Sequence, residues 1–418
     1  MDLPAMRLSI VRVLRGSLLT LVVGSSFAVG GCTRAGPGTR APDQGQSVES
    51  VAAEGFARGA TDGQAPADED PEAVLAQAEA ALSSDESARA VALFGRVLAL
   101  SLPPERAASA WIGLAQAHEK LRDCVAAIGA YQTYLERFPR GEHAVAAAAR
   151  RGACEAELEN WEGSAATFGA IAALPDQLPS VQVEAMARQG YALFMLDRFE
   201  QADAVLAEAD AIHDRAVEQQ TERFSNFYFV GMTRFYRAAI LHRRFRDVEI
   251  RLPEKVMEQS FQAKLALLVE AQQAYNHTVE AKHMYWVSAA GFQLGQLFSE
   301  LYDALMYAPV PEWLDERQRQ VYYAELEKQL RPVVTKAIWV FEKNLETARR
   351  LGYDSAFIER TEAKLGHLQA ILLSDEAMLG RPGQRLARET DGDAQGPGSD
   401  ASISASDRKL FVPRPTPL

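Results

Sequence analysis

The side chains with the most chemistry to offer are three cysteines, Cys32, Cys124 and Cys154, and seven histidines. A thiol can be acylated or paired into a disulfide, and its surroundings decide which. Cys32 ends the string Phe27-Ala28-Val29-Gly30-Gly31-Cys32. A basic segment with Arg7, Arg12 and Arg15 comes first, then a short apolar stretch through Leu18, Leu19, Leu21, Val22, Val23, Phe27 and Ala28. That order is the layout of a secretory signal, with small residues at the cleavage point. The apolar stretch is too short, and too rich in Gly and Ser, for a spanning helix of about 20 residues.

Other reactive constellations are missing. There is no Gly-x-Ser-x-Gly and no Ser-x-x-Lys followed by its partners, so no activated serine is marked. No Gly-x-x-x-x-Gly-Lys-Ser/Thr loop offers a phosphate cradle. His277 and His283 are six residues apart, on opposite sides of a helix, which suits no metal. Paired carboxylates such as Asp85-Glu86 read as solvated helix faces. The expectation is a chain that is not an enzyme and uses no cofactor.

Val29-Gly30-Gly31-Cys32 resembles the lipobox of bacterial lipoproteins. The resemblance implies cleavage before Cys32 and transfer of a diacylglycerol to its thiol. Thr33, rather than Asp, follows the cysteine, which in that family favours the outer membrane over the inner one. The implied location is the bacterial outer membrane, lipid-anchored and facing the periplasm. Acyl chains contribute roughly 0.8 kcal/mol per buried CH₂, so several of them hold a protein stably.

Composition divides the chain. It is acidic, with 56 Asp and Glu against 44 Lys and Arg and a formal charge of −12. Nucleic acid needs clustered bases, so it is not an expected partner. Arg234-Arg237 and His242-Arg243-Arg244 are short runs that read as helix faces or ion pairs. Residues 1–31 read as the signal peptide, and 32–70 as the lipidated cysteine and a disordered tether. That tether is too poor in large apolar side chains to offset the entropy of ordering. As a coil it reaches roughly 35 Å on average. Residues 374–418 read as a disordered tail rich in Gly, Ser, Asp and Pro; Leu410-Phe411-Val412 is its last apolar element.

The middle has a helical period throughout and no alternating strand pattern. Self-similarity recurs every 34–38 residues or so. The clearest unit is Trp111, Leu114, Ala115, His118, Ala127, Tyr131, Tyr134 and Pro139. Its spacing resembles the tetratricopeptide repeat (TPR), with Ala115, His118 and Tyr134 departing from the pattern. Weaker copies run through Ala78, Ala90, Phe94 and Val97; through Gly152, Trp161, Ser164, Phe168 and Ile171; and through Gly190, Phe199, Ala202, Leu206 and Ala209. Small residues let two helices approach, aromatic residues fill the space beside them, and Pro139 ends the second helix. A single unit cannot bury its apolar face, so the units must stack.

The expected fold is all-α: a right-handed superhelical solenoid of TPR-like pairs over 71–212, continued by an irregular helical repeat region over 213–373. Pro332 sits inside one apolar stripe and is expected to kink or start a helix. The second half also resembles large repeat lipoproteins of gliding and predatory bacteria.

The repeat resemblance implies a groove lined by the first helix of each pair. Carried onto this chain, its partner-facing positions include Gln116, Glu119, Lys120, Glu157, Tyr191, Phe194 and Met195. An alternative for the last three is core against the irregular half. Cys124 and Cys154 fall at neighbouring helix ends, either as a disulfide pair or as two buried free thiols. The function these features favour is a lipid-anchored scaffold that binds other envelope proteins or peptides, within a motility, secretion or outer-membrane assembly complex. A ligand- or glycan-binding solenoid with a pocket near Trp286 and Trp313 is the alternative, and a peptidoglycan-active enzyme the third.

Overall fold

The structure, a computed structural model, describes residues 70–378, and every regular element among them is an α-helix. The expectations for Cys32, for the signal and tether up to 69, and for 379–418 lie outside the described residues. The first eight helices pair as α1 (Pro71–Ser83) with α2 (Ser87–Leu98), α3 (Pro104–Lys120) with α4 (Cys124–Arg137), α5 (Ala144–Glu157) with α6 (Trp161–Ala172), and α7 (Pro179–Met195) with α8 (Phe199–Glu218). Longer helices follow: α9 (Tyr228–Asp247), α10 (Glu254–Glu280), α11 (Met284–Met306), α12 (Glu316–Leu351) and α13 (Ala356–Met378). Consecutive helices pack on each other, and α1 also touches α3, α7 touches α9, α9 touches α11 and α11 touches α13. Alternate helices thus form one layer of a two-layer helical-repeat solenoid.

The turns within the first four pairs are copies of one another. Asp85, Arg122, Glu159 and Asp197 are left-handed, with φ of 62°, 60°, 58° and 56°. The next residue's N–H donates to the carbonyl five residues back each time: Glu86 to Ala81, Asp123 to His118, Asn160 to Glu155 and Arg198 to Leu193, at 2.9–3.0 Å. This bond satisfies a helix-end carbonyl, as in a Schellman cap. The carboxylate of Asp123 and the amide oxygen of Asn160 then cap the following helices, accepting from Ala126 N and Gly163 N at 3.1 Å each. A side chain in the left-handed region costs roughly 1–2 kcal/mol, partly offset by its stiffer unfolded chain. Asp197→Gly should therefore raise stability by up to about 1 kcal/mol. An unchanged or lower thermal midpoint would contradict that.

Packing repeats with the same step. Ala78, Ala115, Gly152 and Gly190 on first helices, and Ala90, Ala127, Ser164 and Ala202 on second helices, are all buried. Phe94, Tyr131, Phe168 and Leu206 fill the space between them. A Cβ on Gly190 would lie 2.4 Å from Leu206 Cγ, so these helices approach as closely as glycine allows.

The apolar interior is uneven. Small separate clusters serve α1–α3 and α3–α5, whereas one large core runs from Ala165 to Leu368. Pro332 does not start a helix: α12 is a single helix from Glu316 to Leu351. Pro332 itself is exposed, and buried Leu330, Val333 and Val334 on either side carry the helix through. At the other end, α13 extends past Ser374 to Met378.

Candidate functional site

A cleft of about 410 Å³ opens between α3 and α5. Gln116, Glu119 and Lys120 come from α3, Arg122 from the left-handed turn, and Cys124 from the first position of α4. Arg150, Ala153, Cys154 and Glu157 come from one face of α5 at helical spacing. Four of the expected groove residues, Gln116, Glu119, Lys120 and Glu157, are therefore brought together.

Charges in the cleft are matched locally. Arg150 Nη1 donates to Glu119 Oε2 at 2.9 Å, and the Tyr131 hydroxyl donates to the same oxygen at 2.7 Å. Arg122 Nη1 lies 3.6 Å from Glu157 Oε1. Lys120 Nζ reaches back to the preceding turn, donating to Leu82 O at 2.9 Å and Asp85 Oδ1 at 3.1 Å. The pairs Lys120–Asp85 and Glu157–Arg122 occupy equivalent repeat positions with opposite polarity, so the same mainly exposed edge is tied twice. Such exposed pairs contribute at most about 1 kcal/mol each; they set the shape of the edge more than its stability.

Both cysteines sit on the cleft floor, buried and free. The sequence places them at neighbouring helix ends, and they belong to one small buried cluster beneath the cleft. No bridge joins them; the arrangement is that of two buried thiols. Cys124 Sγ donates to Glu157 Oε2 at 3.2 Å, and Cys154 Sγ faces Glu119 Oε1 at 3.7 Å. Burial pushes both thiols up from their ordinary value, and the two carboxylates push in the same direction. Both therefore carry their protons at neutral pH.

Tyr191, Phe194 and Met195 are not groove residues, which corrects that expectation. Tyr191 and Phe194 are only 4% and 8% exposed, and their rings pack on Tyr236 of α9 at 5.0 and 5.3 Å. Met195 packs against the same core. The reason is that α9 stacks on α7 and covers the face that would otherwise line a groove. Trp286 and Trp313 do not share a pocket either: Trp286 is fully buried, while Trp313 is 61% exposed.

Asp210, His213 and Asp214 on α8 bring three possible metal donors together. Their carboxylates are already taken. Arg234 donates to Asp210 at 2.8 Å and to Asp214 at 3.3 Å, and Arg237 donates to Asp210 at 3.3 Å. Two guanidinium groups against two carboxylates leave no excess charge to attract a cation.

Arg122 and Arg150 were not singled out from the sequence as cleft residues. Arg150 was detectable, since it lies four residues before Cys154 and so shares its helix face. Arg122 was not, because its direction depends on the left-handed turn. Also missed was a buried network in the second half. Glu300 accepts from Arg246 through both carboxylate oxygens and from Gln296 Nε2 at 2.8 Å. His242 Nε2 lies 3.0 Å from Glu300, and His242 Nδ1 lies 3.1 Å from the Tyr275 hydroxyl. A neutral ring protonated on Nε2 satisfies both contacts, with Tyr275 donating to Nδ1. Lys264 donates to the carbonyls of Phe245 and Val248 at 2.7 and 2.9 Å. No helix among the described residues is long and apolar enough to cross a membrane.

These features define, among the described residues, an all-α helical-repeat solenoid with a polar cleft between its second and third helix pairs. Among solved structures, similarity is found to a tetratricopeptide repeat protein from Parabacteroides merdae ATCC 43184, at 10% identity over 72% of this chain and 98% of that one, with a TM-score of 0.34. A TPR repeats protein from Bacteroides fragilis NCTC 9343 is also similar, at 13% identity over 65% and 100%, with a TM-score of 0.29. No family model and no curated protein matches the chain. The repeat architecture rests on the recurring turns and packing positions described above.

Proposed function

We propose that this protein is a non-enzymatic interaction scaffold that binds a partner protein or peptide in the α3/α5 cleft, held at the bacterial outer membrane through acylated Cys32. The observation that carries the binding reading is the cleft itself. Its floor at Ala153 is a small side chain, its walls carry both charges, and exposed Leu121, Val125 and Leu158 adjoin the lining residues in sequence. An extended or helical peptide can approach such a floor closely, and exposed apolar residues at a rim favour association. The anchor reading rests on the signal layout and Val29-Gly30-Gly31-Cys32 alone.

A photo-reactive residue at Gln116 tests the binding reading in cells. It should cross-link to a specific protein, and Ala153→Trp, which fills the cleft, should weaken that cross-link by about tenfold or more while the thermal midpoint stays within about 1 kcal/mol of stability. Cross-linking that Ala153→Trp leaves unchanged would remove the cleft from the binding surface. Cys32→Ser should move the protein from the membrane to the soluble fraction without altering its helical content; retention in the membrane would overturn the anchor.

A further inference from the structure

We propose that the loop between α11 and α12 is a membrane-interface contact, with Tyr307 and Trp313 seated in the headgroup layer of a phospholipid bilayer. The inference rests on the anchor reading above, because acylated Cys32 is what brings a bilayer within reach.

The loop is held firmly and still shows two large rings to water. Tyr307 caps the end of α11 and Asp315 the start of α12. Between them Ala308, Pro311 and Leu314 are buried, and Val310 packs against the large core. Leu314 N–H donates to Pro311 O at 3.2 Å, which closes a four-residue turn with Trp313 in its third place. Pro309 and Pro311 fix their own φ and restrict the residue before each. With those side chains turned inward, the others are left outside: Tyr307 is 85% exposed and Trp313 61%. On the second turn of α12, Val321 is 57% exposed. The packing of the solenoid asks for none of these three.

The chemistry of the patch fits a bilayer surface. Tyr and Trp join an apolar ring to one polar group, which suits the boundary between acyl chains and headgroups. The adjoining charges are mixed, with Glu312, Asp315 and Glu316 against Arg317 and Arg319. That is no polybasic patch, so the rings rather than the charge must supply the attraction.

Such a contact is weak by itself and gains from a tether, because linking two contacts to one surface makes the second effectively intramolecular. Residues 33–69 reach roughly 35 Å as a coil and up to roughly 120 Å fully extended. From α1 to α11 there are five steps of one helical layer, about 45 Å at roughly 8–10 Å each. The loop therefore lies within the span of the chain that follows Cys32. A lipid anchor joined to a second contact is the combination that holds a protein stably on a membrane. Here the second contact also fixes how the solenoid lies, and so which way the α3/α5 cleft faces.

The test uses the full acylated chain reconstituted into phosphatidylcholine vesicles with bromine on part of the acyl chains. Bromine quenches an indole that touches the acyl region. Trp313 is read as the difference between the wild-type chain and Trp313→Phe, since Trp111, Trp161, Trp286 and Trp339 are common to both. Brominated lipid should quench the Trp313 emission by about half or more, and Tyr307→Ser should reduce that quenching by about twofold or more. Both substitutions are at exposed positions, and unchanged circular dichroism and thermal midpoints report that each variant folds. A chain that floats with the vesicles while bromine leaves Trp313 emission unchanged keeps the anchor and overturns the contact. A chain that does not float loses the anchor, and this proposal with it. Trp313 emission that shifts only with peptidoglycan fragments or with an extract of envelope proteins, and not with vesicles, assigns the loop to a glycan or a protein and overturns the bilayer reading.

Discussion

Glu300→Ala should destabilise the protein by about 3–5 kcal/mol, seen as a lower midpoint in chemical denaturation. Glu300 is the acceptor at the centre of the buried network, and its side chain is only 17% exposed. Removing it takes the carboxylate from Arg246 on α9, from the fully buried ring of His242 and from Gln296 one turn back on α11. The donors stay in the interior after the acceptor has gone, so the cost is their desolvation rather than the worth of one ion pair. Glu300→Gln keeps an acceptor oxygen and should lose clearly less. Equal losses for Ala and Gln would show that the charge, and not the hydrogen bonding, is what matters.

The same network sets the pH response. Burial alone would raise the Glu300 carboxyl, but His242 and Arg246 pull it well below its ordinary value of 4.5. An unfolded Glu300 protonates first as pH falls, so its contribution is present above 4.5 and is lost progressively below. Burial lowers His242 from 6.5, against the pull of Glu300. The unfolded ring again takes its proton first, so stability also falls as pH drops below 6.5. Lys264 acts at the other end. Burial pushes it down from 10.5 to about 8. The folded lysine releases its proton first, so stability should rise between about pH 8 and 10.5. Thermal midpoints across these windows check both limbs. The acid slope should flatten in Glu300→Gln, and the alkaline rise should vanish in Lys264→Met.

Trp286→Ala should cost about 3–5 kcal/mol. The indole is fully buried, and its ring lies 5.0–5.9 Å from those of Tyr228, Phe235, Tyr236 and Tyr285. A Cβ on Gly231 would sit 2.6 Å from Trp286 Cδ1, so α9 is shaped to the indole and leaves little to collapse into the space. Trp286→Phe should cost much less, because the indole Nε1 is buried without a hydrogen-bond partner and a phenyl ring removes that penalty. A loss below about 1.5 kcal/mol for the alanine variant would mean that neighbouring rings refill the site.

The fold was legible because its determinants are local and recur. Ala78, Ala115, Gly152 and Gly190 on first helices, and Phe94, Tyr131 and Phe168 on second helices, step along the chain at about the repeat length, and all are buried as their spacing requires. Part of the cleft was legible for the same reason. Gln116, Glu119 and Lys120 share one helix face and Glu157 recurs at the position of Lys120, so one repeat frame finds all four. The same frame failed at Tyr191 and Phe194. It counts positions along a helix and has no knowledge of what lies on top of them.

Sequence alone determined the helical class, the repeat step, the small-and-aromatic packing code and the closeness of Cys124 to Cys154. These follow from residue types at spacings within one or two repeats, where neighbours in the chain are neighbours in space. Tertiary structure decided which faces stay open: α9 covers α7, while the cleft between α3 and α5 remains. It also decided that Pro332 lies within a continuous helix and that Glu300 meets His242, 58 residues away. The physical reason is range. A helix period constrains side chains three and four residues apart, but burial and charge pairing depend on which distant helix packs against them, and the repeat pattern fades where those longer helices begin.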